Sequence, residues 1–148
     1  MEITCLDDVV TVRETMPDGS EKKETVTVSH PGDVLRKILA DYRTPAMEDM
    51  PSFTGGLVGY FSYDYIKYSE PKLKTLMSSR PDEDENQEFR DMDLMLFDKV
   101  IAFDHYRQKL LLIAGVSTDD IEKSYEEAEQ ILEDMAQLIK HGEKEDFR

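Results

Sequence analysis

The chain has 148 residues, of which 39% are hydrophobic and 34% charged, so it is long enough and apolar enough to bury a core as one domain. Its formal net charge of −15 repels phosphate backbones and anionic lipid, which argues against nucleic acid and membrane surfaces as partners. With Cys5 as its single cysteine it forms no internal disulfide, and its first residues lack a signal-peptide pattern, so we expect a soluble, cytoplasmic protein.

The first residues predict a small antiparallel meander. Residues 2–6 and 9–15 have the period-two alternation of strands, and the polar pair 7–8 separates them. Proline and glycine in residues 17–19 predict a turn, because proline presets φ and glycine accepts a positive φ. Residues 24–29 alternate again and predict the third strand.

A helix is predicted next, with Asp33 as its N-cap. Its apolar residues at helical spacing are Val34, Leu35, Ile38, Leu39 and Tyr42. Pro45 ends this helix, and residues 43–52 read as a loop. A strand rich in glycine and aromatic residues is predicted over 56–65, and residues 66–77 are mixed, with short helical turns broken by Pro71.

Residues 80–93 predict an exposed acidic loop, because seven of its fourteen residues are Asp or Glu. Calcium binding is the alternative, but residues 82–85 lack the glycine and terminal glutamate of an EF-hand loop. A solvated loop is therefore the preferred interpretation.

Residues 94–104 predict one strong strand, and residues 109–116 predict its hairpin partner across the turn 105–108. Both strands are nearly continuous in apolar residues, which predicts burial on both faces.

The last predicted element is a helix over 119–141 with Thr118 as its N-cap, followed by a charged, frayed tail at 143–148. Its apolar stripe consists of Ile121, Tyr125, Ala128, Leu132, Met135 and Ile139. A coiled-coil seam has the same spacing, but one amphipathic helix is the simpler interpretation. The element order predicts an α+β fold with a mainly antiparallel sheet or sandwich and two principal helices.

The residues carry no recognisable catalytic set. His30, His105 and His141 are far apart and lack metal-ligand spacing to other ligands, so we expect no metal site. Gly55, Gly56 and Gly59 resemble a phosphate cradle only superficially, because strand rather than helix is predicted after them. Close backbone packing on a bent, buried strand is the better physical interpretation, and the surrounding tyrosines are typical of a core.

Two segments carry a resemblance. Residues 51–64, Pro-Ser-Phe-Thr-Gly-Gly-Leu-Val-Gly-Tyr-Phe-Ser-Tyr-Asp, closely resemble a segment in the N-terminal region of anthranilate synthase component I. Residues 96–105, which end in Phe-Asp-His, and 109–114 resemble a second segment of that family. The matching positions, interpreted as structural, are Phe53, Gly55, Gly56, Gly59, Tyr60, Tyr63, Asp64, Phe103, Asp104 and His105. The resemblance covers residues 1–142, which we expect to form one domain that is incomplete at its start.

The resemblance implies the following about function. The family enzyme converts chorismate, with ammonia from a glutamine amidotransferase subunit, into anthranilate and pyruvate in tryptophan biosynthesis. Its chorismate site and magnesium-binding glutamates lie in a C-terminal region without a counterpart here, and a Leu-Leu-Glu-Ser segment of its tryptophan pocket lies upstream. We therefore expect scaffold and feedback coupling from this chain, without catalytic, cofactor or metal residues, and at most weak tryptophan binding.

The partners implied are the catalytic C-terminal region and the amidotransferase subunit. Apolar surface that the catalytic region would cover also favours a homodimer. Two alternatives stay open: a stand-alone, non-enzymatic binding or interaction module, and the corresponding part of aminodeoxychorismate synthase component I in the folate pathway.

Overall fold

The computed structural model describes residues 1–16, 18–77 and 89–142 and divides the chain into two compact units. Unit 1 comprises Met1–Arg43 and Leu57–Leu96, and unit 2 comprises Thr44–Gly56 and Phe97–Arg148. The described residues combine a few helices with a mainly antiparallel sheet, which confirms the α+β prediction. In the described residues no helix combines the length and apolarity needed to cross a membrane.

A five-stranded sheet has the order β3-β2-β1-β5-β4. Its strands are β1 Glu2–Leu6, β2 Val9–Thr15, β3 Glu21–Thr27, β4 Gly56–Phe61 and β5 Met92–Phe97. β1 pairs antiparallel with both β2 and β5, and β2 pairs antiparallel with β3. The predicted bounds of β1 and β2 are confirmed, whereas β3 begins three residues before its predicted start at Glu24, since charged residues also extend an exposed edge strand.

The core of unit 1 lies on one face of this sheet. Cys5 faces Val10 on one neighbouring strand and Met92 on the other, while Ile3 faces Leu94 in the same manner. These five side chains are at most 4% exposed. Leu35 and Tyr68 complete the buried cluster.

The first helix, α1, spans Pro31–Ala40 and has His30 at its N-cap position. The prediction that Asp33 caps it is wrong. Pro31 occupies the first helical turn, where its fixed φ and missing N–H are tolerated, so Asp33 falls inside that turn. Its carboxylate instead pairs with Arg36 at 2.6 Å.

The predicted strand over 56–65 is too long. β4 ends at Phe61, and a 3-10 helix follows at Tyr63–Tyr68, so Tyr63 and Asp64 lie in a helix instead of a strand. A short helix, α2, spans Pro71–Met77, so Pro71 begins the helical segment that it was expected to break. Most of the predicted acidic loop, namely residues 80–88, lies outside the described residues. At its other end the prediction is wrong, because Met92 and Asp93 belong to β5 and Asp91 is buried.

Unit 2 contains a hairpin of β6, Lys99–Asp104, and β7, Lys109–Ala114. The prediction of one strand over 94–104 is wrong, because the chain leaves the first sheet at Asp98. There the carbonyl of Asp98 accepts a hydrogen bond from the N–H of Gly115 at 2.6 Å, which starts the second pairing.

Within the described part of the chain, one face of this hairpin is covered and the other is not. The covered face carries three half-buried residues and one buried residue, namely Val100, Ala102, Leu111 and Ile113. The opposite face carries Ile101, Phe103 and Leu110. Those three are 48%, 53% and 50% exposed, so the prediction of burial on both faces is wrong for this chain.

The long helix α3 spans Ile121–His141 and packs against β7. Its N-cap is Asp120, whose carboxylate accepts a hydrogen bond from the N–H of Lys123, so the assignment of Thr118 is wrong. Of the predicted stripe, Ala128, Leu132 and Met135 are half-buried, while Ile121, Tyr125 and Ile139 are exposed. The reason is length: 21 residues of helix extend about 31 Å, beyond a six-residue strand of about 20 Å. The predicted tail at 143–148 lies outside the described residues.

Candidate functional site around the glycine strand

Gly59 lies where β4 crosses closest to β5. A Cβ at this position would overlap the carbonyl oxygen of Asp93 and come within 2.8 Å of the Cα of Leu94. Gly55, just before β4, has the same role, because an added Cβ would lie 2.9 Å from the carbonyl oxygen of Phe97. The φ of Gly55 is +142°, a conformation that favours glycine. The predicted close backbone packing is therefore confirmed at both positions. Gly56 makes only an ordinary contact with Phe53, at 3.7 Å from its added Cβ.

The expectation that this strand is buried is wrong. Val58, Tyr60 and Phe61 are 46%, 39% and 52% exposed. The Tyr60 ring stacks on Phe89 at a centroid distance of 5.2 Å, and Phe61 meets Tyr65 edge to face at 4.8 Å. The glycines therefore serve packing against β5, while the side chains of the strand remain accessible.

The other predicted motif residues fall in turns and helical ends. Tyr63 is 88% exposed and Asp64 is exposed, so neither is a core residue. The Asp104 carboxylate accepts hydrogen bonds from the N–H groups of Tyr106 and Arg107, each at 2.9 Å, and so closes the hairpin turn.

The His105 ring meets Phe103 edge to face at 4.6 Å, within that same turn. Gly59, Tyr60, Tyr63 and Asp64 belong to unit 1, and the remaining motif residues belong to unit 2. The first motif block is therefore divided between the two units, whereas the motif residues of the second lie wholly within unit 2.

A buried polar cluster beside β4 was missed by sequence reasoning. Its centre is Asp91, which is 3% exposed, and Tyr68, which is 5% exposed. The Tyr68 hydroxyl donates to the Asp91 carboxylate at 2.6 Å, and the ammonium of Lys67 pairs with the same oxygen at 2.9 Å. We name this the Asp91 network, which consists of Cys5, Asp7, Asp8, Lys67, Tyr68 and Asp91.

The network fixes the turn between β1 and β2. Asp7 and Asp8 have φ of +45° and +68°, the left-handed conformation of a tight hairpin turn. The N–H of Asp7 donates to the Asp91 carboxylate, and the N–H of Asp8 donates to the Tyr68 hydroxyl, each at 3.1 Å. A polar composition alone predicts this turn, but only the fold brings Asp91 and Tyr68 to it.

The protonation states favour structure over catalysis. Burial and the hydrogen bond to Asp91 raise the pKa of the Tyr68 hydroxyl far above its ordinary value, so it stays a donor. Burial likewise raises the pKa of the Cys5 thiol, which disfavours the thiolate a nucleophile requires. Burial alone would lower the pKa of Lys67, but its bonds to Asp91 and Asp7 outweigh this and raise it.

His30 and a groove beside α1 are two further candidate positions in unit 1. His30 donates from Nδ1 to the carbonyl of Tyr68 at 3.2 Å, which accounts for it structurally. Across the described part of the chain, no three His, Cys, Asp or Glu side chains are grouped to hold a metal ion. A groove of about 470 Å³ lies between α1 and β2–β3, with an apolar floor that includes Val12, Val34 and Ile38.

Comparison with known proteins places these features in a family. No family model matches the chain. It is 34% identical over 143 residues to anthranilate synthase alpha subunit 2, chloroplastic, of Arabidopsis thaliana, which covers 94% of this chain and 22% of that protein.

It is also 33% identical over 128 residues to anthranilate synthase component 1 of Acinetobacter calcoaceticus, covering 84% of this chain and 24% of that protein. For component 1 of Saccharomyces cerevisiae the identity is 32% over 134 residues, covering 88% and 24%. The chain thus spans about a quarter of the length of these curated relatives. By sequence, the chain belongs to the anthranilate synthase component I family.

Proposed function

We propose that this chain is a non-catalytic, N-terminal part of anthranilate synthase component I that packs against a catalytic region and couples it to feedback control. The complete protein would convert chorismate and ammonia into anthranilate and pyruvate for tryptophan synthesis in the cytoplasm. Magnesium would be held by the catalytic region, and a glutamine amidotransferase subunit would supply the ammonia. The relatives named above are all anthranilate synthases, which supports this branch over aminodeoxychorismate synthesis.

The observation that carries the proposal is the uncovered face of the β6–β7 hairpin. Ile101, Phe103 and Leu110 are each about half exposed on it, while the opposite face is packed. Large apolar side chains grouped on one face are typical of an interaction surface. About three quarters of the length of each curated relative lies outside its match with this chain, and that unmatched region would supply a partner for the exposed face.

The character of the Asp91 network supports a scaffold role. Its carboxylate, hydroxyl and ammonium groups bond to one another and to backbone N–H groups. Buried polar groups satisfied in this way stabilise one conformation, because each lost partner leaves a costly desolvated group.

The second candidate function is a stand-alone binding module, and the groove beside α1 is the observation that favours it. Its volume of about 470 Å³ would accept a small molecule. Lys22, Lys37 and Glu24 line its rim, so a ligand there would carry both charged and apolar groups. Binding of amino acids or chorismate to the isolated chain, abolished by Lys37→Glu, would favour this alternative.

A binding experiment tests the primary proposal. The 148-residue chain would be mixed with the catalytic C-terminal region of the Acinetobacter calcoaceticus relative and the complex followed by calorimetry. We expect association, and we expect Phe103→Glu to weaken it at least about tenfold, because a buried unpaired charge is costly at an interface.

Tyr106→Glu is the matched control. Tyr106 is an aromatic residue of the same hairpin but is 96% exposed at the turn, so its substitution should leave the affinity within about twofold. Absence of binding by the wild-type chain, or equal effects of the two substitutions, would contradict the proposal.

A further inference from the structure

The two outer strands of the five-stranded sheet differ in how they are protected. β3 is flanked on one side only by β2, and its residues Glu21, Lys22, Lys23 and Glu24 carry charges. Such charges on an edge strand oppose pairing with another chain. The other outer strand is β4, which pairs with β5 on one side. Unlike β3, it lies in a run of residues, 50–63, that contains no charged side chain.

The exposed side chains of β4 are also apolar. Val58 is 46% exposed and Phe61 is 52% exposed, in a chain that is 34% charged. Among the described residues, β4 is therefore an edge strand without the charges that protect β3. An accessible apolar edge of this kind is a template for a further strand.

The sequence of β4 is complementary to itself in size. In an antiparallel pair, residues directly opposite each other point to the same face of the sheet. When the two strands are identical copies, the two-fold axis must therefore lie midway between the two copies of one residue. An axis at Val58 places Val58 opposite its own copy and Leu57 opposite Gly59. The same register places Tyr60 opposite Gly56, so each glycine faces a large side chain.

Other registers lose this match. An axis at Gly59 would set glycine against glycine and Val58 against Tyr60, which leaves the bare backbone uncovered. An aromatic or aliphatic side chain opposite a strand glycine covers that backbone and restores packing. The register centred on Val58 is thus the one in which the small and large positions alternate across the pair.

We propose that the free edge of β4 pairs antiparallel with β4 of a second copy of this chain, across a two-fold axis at Val58. The result is a continuous sheet through both copies. This self-association goes beyond the proposed function and does not rest on it, because it uses β4 instead of the hairpin face of unit 2.

The molar mass of the full 148-residue chain tests the pairing. Each copy carries a net charge of −15, so sedimentation equilibrium is measured in about 1 M salt, where the Debye length is about 3 Å. The mass should rise from 17.1 kDa toward twice that value as the concentration increases to about 1 mM. A constant monomer mass over this range would overturn the proposal.

Matched substitutions locate the interface. Val58 and Val26 are valines on the two outer strands, with exposures of 46% and 45%. Val58→Lys should abolish association with an unchanged circular dichroism spectrum, while Val26→Lys should associate as wild type does. Equal association of both variants would overturn the assignment to β4.

A cysteine at the axis gives an independent readout that does not depend on a destabilised variant. Under mild oxidation, Val58→Cys should form a disulfide-linked dimer, because the two copies of this position face each other. Val26→Cys should remain monomeric on a denaturing gel. The native Cys5 is only 1% exposed in the wild-type structure, so it should not cross-link in either variant. Cross-linking of Val26→Cys to the same extent would contradict the proposed pairing.

Discussion

Replacing Tyr68 by phenylalanine tests whether the Asp91 network stabilises unit 1. The ring remains, but the Asp91 carboxylate loses a donor at 2.6 Å and the N–H of Asp8 loses its acceptor at 3.1 Å. Tyr68 and Asp91 are 5% and 3% exposed, so water replaces the lost hydroxyl poorly. A hydrogen bond to a charged group contributes about 1.5–3 kcal/mol and a neutral one about 0.5–1.5 kcal/mol. We expect the free energy of unfolding to fall by about 2–4 kcal/mol.

Urea unfolding followed by circular dichroism measures this change. With a urea dependence of about 2 kcal/mol per molar, a typical value for a small protein, the midpoint should fall by about 1–2 M. Tyr60→Phe is the control: Tyr60 is 39% exposed, and phenylalanine keeps its stack on Phe89, so the change should stay within about 0.5 kcal/mol. Equal midpoints in the two variants would mean that the Asp91 network does not stabilise the fold.

Three further predictions use the same measurement. Gly59→Ala should lower the free energy of unfolding by about 1–3 kcal/mol or more, because the added Cβ meets the backbone of β5. Gly32→Ala has room within α1 and should be neutral or stabilising, so equal effects of the two substitutions would contradict close packing at β4. Asp120→Ala should cost about 1 kcal/mol and Thr118→Ala almost nothing, and the reverse order would restore Thr118 as the cap. The raised pKa of Tyr68 means that the unfolded chain releases this proton first, so stability should fall by about 1.4 kcal/mol per pH unit above about pH 10. Tyr68→Phe should lack that contribution, and an unchanged alkaline slope in this variant would count against it.

Local patterns predicted the parts of the fold that depend on neighbours in sequence. The alternation of residues 2–6 and 9–15 set the bounds of β1 and β2, because a half-buried strand alternates by two. The polar turn before Lys109 likewise predicted the hairpin of unit 2. The glycines of β4 predicted close backbone packing, which Gly59 makes against β5.

The errors concern contacts between distant residues. Asp91 was assigned to the solvated acidic loop by composition, but Tyr68 and Lys67 hold its carboxylate in the interior. The charged pair Asp98-Lys99 interrupts the apolar run of β5 and β6, but such a pair alone does not specify a change of sheet. The change depends on the hydrogen bond that Asp98 accepts from the distant Gly115. Periodicity identified the apolar stripe of α3, but the extent of its burial depends on the length of β7.

Anthranilate formation shows whether the chain is a non-catalytic partner of the catalytic region. The pure chain, the catalytic C-terminal region of a relative and their mixture would each be given chorismate, magnesium and ammonia, and the fluorescence of anthranilate recorded. The chain alone should give no turnover, and its addition should raise the activity of the catalytic region to a saturable maximum that is lost with Phe103→Glu. Turnover by the chain alone, or an activity of the catalytic region that does not respond to it, would contradict the proposed non-catalytic role.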